Sequence, residues 1–148
     1  MKIIQVVGRS NSGKTSFIKK LIPELEKKGR VAVIKHLGDH EFNLEKEKDT
    51  TRFFDAGATI SFGIDDKKSV GAIRTNRLED LLSLLNTQEI EYTVIEGFKT
   101  YSYPKIVIGD LVAENCIAAN PTVHEVLASL HRFEDYPKEN RIKNGRGI

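Results

Sequence analysis

The feature that most constrains the fold is a glycine-rich segment near the N-terminus, placed between an apolar run and an amphipathic segment. Residues 8–15 have the sequence Gly-Arg-Ser-Asn-Ser-Gly-Lys-Thr, which matches the pattern G-x-x-x-x-G-K-[ST]. Residues 3–7 before it suit a strand buried on both faces, and residues 14–28 after it carry apolar side chains at helical spacing. This order predicts an α/β fold in which the loop lies at the carboxyl end of a parallel strand.

The residue types in this segment suit a site for phosphate groups. Gly8 and Gly13 allow torsion angles and close approaches that a Cβ atom would block, so that backbone N–H groups can point at phosphate oxygens. Lys14 supplies charge for the β- and γ-phosphates, and the hydroxyl of Thr15 can ligate Mg²⁺ at the positive end of the helix. The residues predicted to bind the phosphates of a purine nucleoside triphosphate are Gly8, Ser10, Asn11, Ser12, Gly13, Lys14, Thr15 and Ser16.

Strand-length apolar blocks alternate with segments of helical period along the rest of the chain. Predicted strands cover residues 31–34, 59–64, 69–74, 92–95, 106–108 and 117–119, and predicted helices cover 49–56, 77–86 and the segment after Thr122. The first strand–helix–strand unit predicts parallel strands, whereas the short polar link at 65–68 predicts a hairpin. The expected fold is an α/β three-layer sandwich of the P-loop nucleoside triphosphatase type, mostly parallel with one antiparallel hairpin. Residues 1–132 are predicted to form one nucleotide-binding domain, with a polar tail at 133–148.

Composition narrows the class of protein further. The chain has 148 residues and a net charge of +2, which gives no electrostatic footprint for nucleic acid. No apolar run approaches about 18 residues, so no membrane span is predicted, and the N-terminus lacks a signal-peptide pattern; we therefore expect a cytoplasmic protein. Cys116 is the single cysteine, so neither an intramolecular disulfide nor a Cys-based zinc site can form, and its apolar context predicts burial.

Polar residues follow two further predicted strands. Glu96 ends an apolar strand, and a carboxylate in that position beside a phosphate loop orients Mg²⁺ or its waters. Lys35 and His36 end the second strand, where parallel strands place ligands; with the nearby His40, transition-metal binding is a minor alternative. Arg52 follows Asp49 by three positions, so the pair is either a surface ion pair or a nucleotide contact.

The ordered motifs together resemble one family closely, the MobB family of molybdopterin-guanine dinucleotide biosynthesis adaptor proteins. The resemblance extends to about residue 108 and is weak beyond it. The matching segments are Val7–Thr15, Lys35-His36, Asp49-Thr50-Thr51-Arg52 leading into Ala56-Gly57-Ala58, Glu96-Gly97-Phe98-Lys99, and Pro104-Lys105-Ile106-Val107. The series is more specific than any single motif, because the glycine-rich loop alone is compatible with many functions.

This resemblance implies a dimeric GTP-binding protein that is at most a slow GTPase. Its implied partners are a MobA-like guanylyltransferase, which joins GMP to molybdopterin, and molybdopterin itself. Lys14, Asp49 and Glu96 are then the candidate catalytic residues, and Thr15, Glu96 and Asp49 are the candidate Mg²⁺ ligands. Lys35, His36 and Arg52 become candidate γ-phosphate contacts.

Several points stay open at the level of sequence. A P-loop small-molecule kinase is the main alternative function, and a metallochaperone GTPase for another metal centre is the third. No Asn-Lys-x-Asp guanine signature is present, so guanine specificity rests on the resemblance, with Asn120 as a conceivable base contact. Tyr101 and Tyr103 suit either stacking on a pterin or base, or packing against the sheet.

Overall fold

The computed structural model describes residues 1–137, which form two compact units. The first unit comprises residues 1–36 and the chain from residue 81 onward, and the second comprises residues 37–80. In chain order the elements are β1 (Lys2–Val7), α1 (Lys14–Glu26), β2 (Val31–Lys35), α2 (Asp49–Asp55), β3 (Ile60–Ile64), β4 (Ser69–Ile73), α3 (Leu78–Thr87), β5 (Tyr92–Glu96), β6 (Lys105–Val107), β7 (Cys116–Ala119), α4 (Val123–Ala128) and a 3₁₀ turn (Leu130–Arg132). Most of the tail predicted from residue 133 lies outside the described residues.

The first unit is built on a five-stranded sheet with the order β2-β5-β1-β6-β7, in which every neighbouring pair is parallel. The prediction that β1 and β2 run parallel is confirmed, and β5 lies between them. In this inner position Thr93–Glu96 are buried, as expected for a strand with neighbours on both sides. The carboxyl ends of β1, β2, β5 and β6 therefore meet at one edge of the sheet.

An apolar core fills the space between the sheet and the helices α1 and α4. The helix α1 contributes Ile18, Leu21 and Leu25, whose spacing of three and four residues puts them on one face. They pack in one cluster with the following buried residues: Ile4, Val6, Val94, Ile106, Ile108, Val126 and Phe133. Pro23 lies inside α1 but does not end the helix, because Pro23 is exposed and water can solvate the carbonyl that it leaves without a donor.

Residues 133–136 continue the packed part of the first unit. Phe133 is 3% exposed, and the backbone of Tyr136 donates a hydrogen bond to the carbonyl of Met1 at 2.7 Å. Lys2 forms an ion pair of 3.1 Å with Asp135. Residues 133–136 are therefore held against the beginning of β1.

The prediction of a buried Cys116 is wrong, since the cysteine is exposed. Cys116 begins β7, which is an edge strand and has a neighbour on one side only. The apolar run that follows it correctly indicates that Ile117 and Ala118 are partly buried. It does not predict the burial of Cys116, which is the first residue of the strand.

The second unit contains α2 and the predicted hairpin, which forms its own two-stranded antiparallel sheet of β3 and β4. The hydroxyl of Ser61 donates to the carbonyl of Thr50 at 2.7 Å, which ties β3 to α2. The guanidinium of Arg74 lies 4.2 Å from the ring centroid of Phe54. Helix α2 begins at Asp49, where the helix predicted over 49–56 also begins, and Gly57, with φ of 114°, follows its end. No helix within residues 1–137 combines the length and apolar character needed to cross a bilayer.

Candidate functional site

The glycine-rich loop of residues 8–15 joins the carboxyl end of β1 to the first turn of α1, as predicted. A Cβ atom on Gly8 would lie 2.3 Å from the carbonyl oxygen of Ile108, so only glycine allows the loop to pass this close to the end of β6. Asn11 and Gly13 have φ angles of 58° and 95°, in the left-handed region. The alternation of these torsion angles is what turns successive N–H groups toward one side of such a loop.

The polar side chains of this loop differ in their burial and hydrogen bonding. The hydroxyl Oγ of Ser12 is buried and has no hydrogen-bond partner among the described residues, whereas Ser10, Asn11, Thr15 and Ser16 are exposed. The ammonium of Lys14 bends back over the loop and donates to the carbonyl of Arg9 at 2.6 Å. A buried hydroxyl without a partner is uncommon, and a phosphate oxygen would supply the missing acceptor.

Three more of the predicted residues converge on the same edge of the sheet. Glu96 ends β5 with its side chain 11% exposed, and Lys35 of the neighbouring strand lies 3.8 Å from its carboxylate. Register pairs join Glu96 to Val6 on one side and to Lys35 on the other. His36 follows directly, and its backbone N–H donates to the carbonyl of Glu96 at 2.9 Å. Glu96, Lys35 and His36 thus form one cluster next to the end of β1.

Gln5 holds the segment that follows Glu96, and nothing in the sequence marks it as a functional residue. Its amide nitrogen donates to the carbonyls of Gly97 at 2.8 Å and Phe98 at 2.7 Å. Gly97 and Phe98 both have positive φ angles, of 90° and 53°, and the latter is a strained conformation for a bulky residue. The ring of Phe98 lies 4.6 Å from that of His36. Gln5 therefore positions the residues beside the Glu96 carboxylate, and the only signal in the sequence was a polar residue within an apolar strand.

Asp49 and Arg52 lie on α2 of the second unit. Arg52 contacts Asp49 and Glu47, both at 3.5 Å, and all three side chains are more than half exposed. Such an exposed ion pair contributes little to stability. The geometry within this unit thus shows the surface ion pair, while the nucleotide contact stays a prediction.

A second polar cluster follows β6 and β7 at the same edge as the glycine-rich loop. The guanidinium Nε of Arg9 lies 3.0 Å from the carboxylate of Asp110, whose side chain is 80% exposed. The side chain of Asn120 accepts from the N–H of Gly109 at 2.7 Å and donates to its carbonyl at 3.0 Å. Asn120 thus fixes the backbone beside Asp110, and Asp110 presents its carboxylate to solvent next to the loop.

The donor set fits a hard cation that is shared with a phosphate. Mg²⁺ in nucleotide sites takes one or two protein oxygens, with phosphates and waters supplying the rest, and the hydroxyl of Thr15 and the carboxylate of Glu96 are oxygens of this kind. Within residues 1–137, no three His, Cys, Asp or Glu side chains cluster as a metal site of their own would require. Thr15 and Glu96 are therefore the residues that would hold such a cation if a phosphate ligand were bound.

The geometry defines a class of α/β proteins in which a glycine-rich loop connects the central strand of a parallel sheet to the following helix. The sequence then identifies the family: residues 3–129 match the model described as Molybdopterin guanine dinucleotide synthesis protein B, and the chain belongs to that family. The family assignment made from the ordered motifs is confirmed.

Curated relatives agree with the family model. The chain is 33% identical over 111 residues to the molybdopterin-guanine dinucleotide biosynthesis adapter protein of Haemophilus influenzae, covering 72% of this chain and 62% of the relative. A Methanocaldococcus jannaschii relative with the same adapter designation is 38% identical over 112 residues, which are 73% of this chain and 47% of that relative. The chain therefore spans about half to two thirds of the length of these two relatives.

Solved structures support the fold. The crystal structure of Bacillus subtilis MobB superposes with a TM-score of 0.70 at 24% identity, covering 92% of this chain and all of the other (100%). A MobB homologue from Bacillus stearothermophilus gives a TM-score of 0.56 at 20% identity, covering 88% of this chain and 94% of that one. The predicted α/β fold with a mostly parallel sheet and one hairpin is confirmed.

Proposed function

We propose that this chain binds Mg²⁺–GTP and assists a guanylyltransferase that joins GMP to molybdopterin. The observation that carries the proposal is the buried, unpartnered hydroxyl of Ser12 inside a glycine-rich loop, in a chain of the molybdopterin guanine dinucleotide synthesis family. The hydroxyl would donate to a phosphate oxygen, together with the backbone N–H groups of the loop and the first turn of α1. Lys14 would leave the carbonyl of Arg9 and pair with the β- and γ-phosphates.

Thr15 and Glu96 would hold the magnesium ion, which when bound neutralises charge on the phosphates. Lys35 and His36 would then lie beside the γ-phosphate, and Gln5 would keep the segment after Glu96 in place. Glu96 would then hold the metal ion rather than activate a water, and it also lies 3.8 Å from Lys35. We therefore infer that hydrolysis is slow, and that presenting the nucleotide matters more than turnover.

Guanine selection in this proposal is carried by Asp110. A carboxylate accepts two hydrogen bonds, and guanine offers two adjacent donors, N1–H and the N2 amino group. Adenine offers an acceptor at N1, which a carboxylate repels. Asp110 is exposed beside the loop and lies on a backbone that Asn120 fixes, so its position is defined before the base arrives.

The test is a calorimetric titration of the wild-type chain with Mg²⁺–GTP and Mg²⁺–ATP, repeated on Asp110→Ala. We expect the wild type to prefer GTP, and the variant to lose about tenfold or more in GTP affinity, because a bidentate base contact is worth about 1–3 kcal/mol. Asp135→Ala removes an exposed carboxylate from a similar ion pair with Lys2 and should leave the preference unchanged. A wild-type preference for ATP would overturn the guanine assignment and favour a small-molecule kinase.

We also propose that the chain forms a homodimer through the hairpin of the second unit. Ile60, Phe62 and Ile64 alternate along β3, so they share one face of the hairpin, and they are 53%, 55% and 84% exposed. The opposite face carries Ser61, which is tied to α2. A two-stranded sheet with one uncovered apolar face is marginal alone and is stabilised when that face is buried.

Light scattering coupled to size-exclusion chromatography tests the dimer. We expect a dimeric wild type, and an increased monomer fraction for Ile64→Lys, because burying a lysine in the apolar contact is unfavourable. Asp66→Lys adds a lysine at the hairpin turn, away from that face, and should remain dimeric. A wild type that stays monomeric at high concentration would contradict the dimer.

A further inference from the structure

Lys105, the first residue of β6, is a buried cation to which the proposed nucleotide site assigns no role. The residue is 3% exposed, and its ammonium donates to the carbonyl of Tyr101 at 2.6 Å. It lines a cavity of about 340 Å³, which we call the Lys105 cavity, together with Val7 and the chain segments 99–102 and 111–114. Within residues 1–137, no carboxylate forms an ion pair with Lys105.

This arrangement leaves the positive charge and the N–H donors of the Lys105 ammonium only partly compensated. A lysine has three N–H donors, and a single neutral carbonyl accepts only one of them. Burial lowers the pKa of Lys105, while the negative charge of Glu114 opposes that shift. Gln5, the register partner of Lys105 on β1, has a buried amide oxygen without a hydrogen-bond partner among the described residues. Proteins rarely keep a cation in such surroundings unless an anion joins it.

Half of the residues that line the cavity are apolar or aromatic, and Lys99 and Glu114 add one charge of each sign. Tyr101 lines it, and its ring stacks on that of Tyr103 with an interplanar angle of 6° and a centroid distance of 6.1 Å. Leu111 and Val112 form the opposite wall, and the residue Val112 is 96% exposed. A small cavity that combines an apolar and aromatic part with a buried cation suits a flat molecule that carries an anionic group.

We propose that the Lys105 cavity binds the anionic group of a second small molecule, a pterin bearing a phosphate or carboxylate, next to the nucleotide. The pterin as a class rests on the proposed function, whereas the anionic group rests on Lys105. Joining a pterin to GMP as a dinucleotide requires a phosphate on the pterin, and the family name states that product. Two substrates would then lie near each other, one at the glycine-rich loop and the other in the cavity, which Val7 at the end of β1 also lines.

The test uses the full chain and 6-carboxypterin, a stable fluorescent pterin with one carboxylate. Fluorescence titrations compare it with unsubstituted pterin, in the presence and absence of saturating Mg²⁺–GTPγS. We expect 6-carboxypterin to bind about tenfold or more tightly than pterin, and Lys105→Met to remove that difference, because a buried charge-assisted bond is lost. Lys20→Met, on an exposed part of α1, should leave the difference intact.

A second variant guards against loss of folding in Lys105→Met. Val112→Asp places a carboxylate on the exposed wall of the cavity, where it cannot disturb the core, and should weaken 6-carboxypterin more than pterin. Equal binding of the two pterins to the wild type, no binding of either, or competition between 6-carboxypterin and GTPγS would overturn the proposal. GTPγS binding without 6-carboxypterin binding refutes the cavity alone, and the reverse result refutes the proposed nucleotide function alone.

Discussion

Replacing Lys14 with alanine should lower the affinity for Mg²⁺–GTP by about 10- to 150-fold. This range corresponds to about 1.5–3 kcal/mol for a hydrogen bond to a charged group, at 1.4 kcal/mol for each factor of ten. The lysine lies at the beginning of α1, and among residues 1–137 its ammonium donates hydrogen bonds to the backbone carbonyls of residues 8 and 9. Those contacts are neutral, so the phosphates are the stronger partner, and little stability should be lost without nucleotide.

Fluorescence anisotropy with an N-methylanthraniloyl derivative of GTP measures the change, and thermal unfolding without nucleotide checks the fold. Lys19→Ala is the matched control, because it removes the same charge from an exposed position on the same helix. The control should bind within about twofold of the wild type, since exposed charges are screened by solvent and salt. If both variants lost affinity equally, the effect would be one of net charge, and the assignment of Lys14 to the phosphates would be wrong.

Replacing Gly8 with alanine should destabilise the chain by about 1–3 kcal/mol, the usual cost of forcing an extra methyl group into a packed site. The new Cβ would lie 2.3 Å from the carbonyl oxygen of Ile108, which is backbone and cannot rotate away. The glycine-rich loop must therefore separate from the end of β6. Because the same loop is proposed to hold the phosphates, GTP affinity should fall together with stability.

Gly29→Ala provides a matched control for this prediction. Its Cβ would lie equally close, at 2.4 Å, to an atom of Glu91. That atom ends an exposed and flexible side chain, which can rotate away at little cost. Urea unfolding should therefore show a large loss for Gly8→Ala and a small change for Gly29→Ala. Equal stability of the two variants would mean that the close approach to β6 does not require glycine at residue 8.

The sequence predicted the glycine-rich loop and its position well, because the motif depends on residues that are close together in the chain. The order of an apolar strand, a glycine-rich loop and an amphipathic helix fixes where residues 8–15 lie relative to β1 and α1. Glu96 and the pair Lys35-His36 were found by a simple rule, since each follows an apolar run and parallel strands end at one edge. Their convergence around the end of β5 is the predicted one.

Other residues could not be selected without the tertiary structure. Gln5 and Lys105 are polar residues in or beside apolar runs, and only the register of β1 with β6 shows that they are neighbours on the sheet. Asp110 becomes a candidate only through its contact with Arg9, which lies 101 residues away in the chain. The exposure of Cys116 depends on β7 being at the edge of the sheet.

The sequence by itself determined the type of each element, the phosphate-loop motif and the family, because these depend on residue order over short distances and on the series of motifs. The tertiary structure decided the strand order β2-β5-β1-β6-β7 and the separation of the hairpin into its own sheet. It also decided which polar groups are buried without full compensation, namely Ser12, Gln5 and Lys105. Burial and pairing are properties of contacts between distant segments, and a single sequence carries only indirect traces of them.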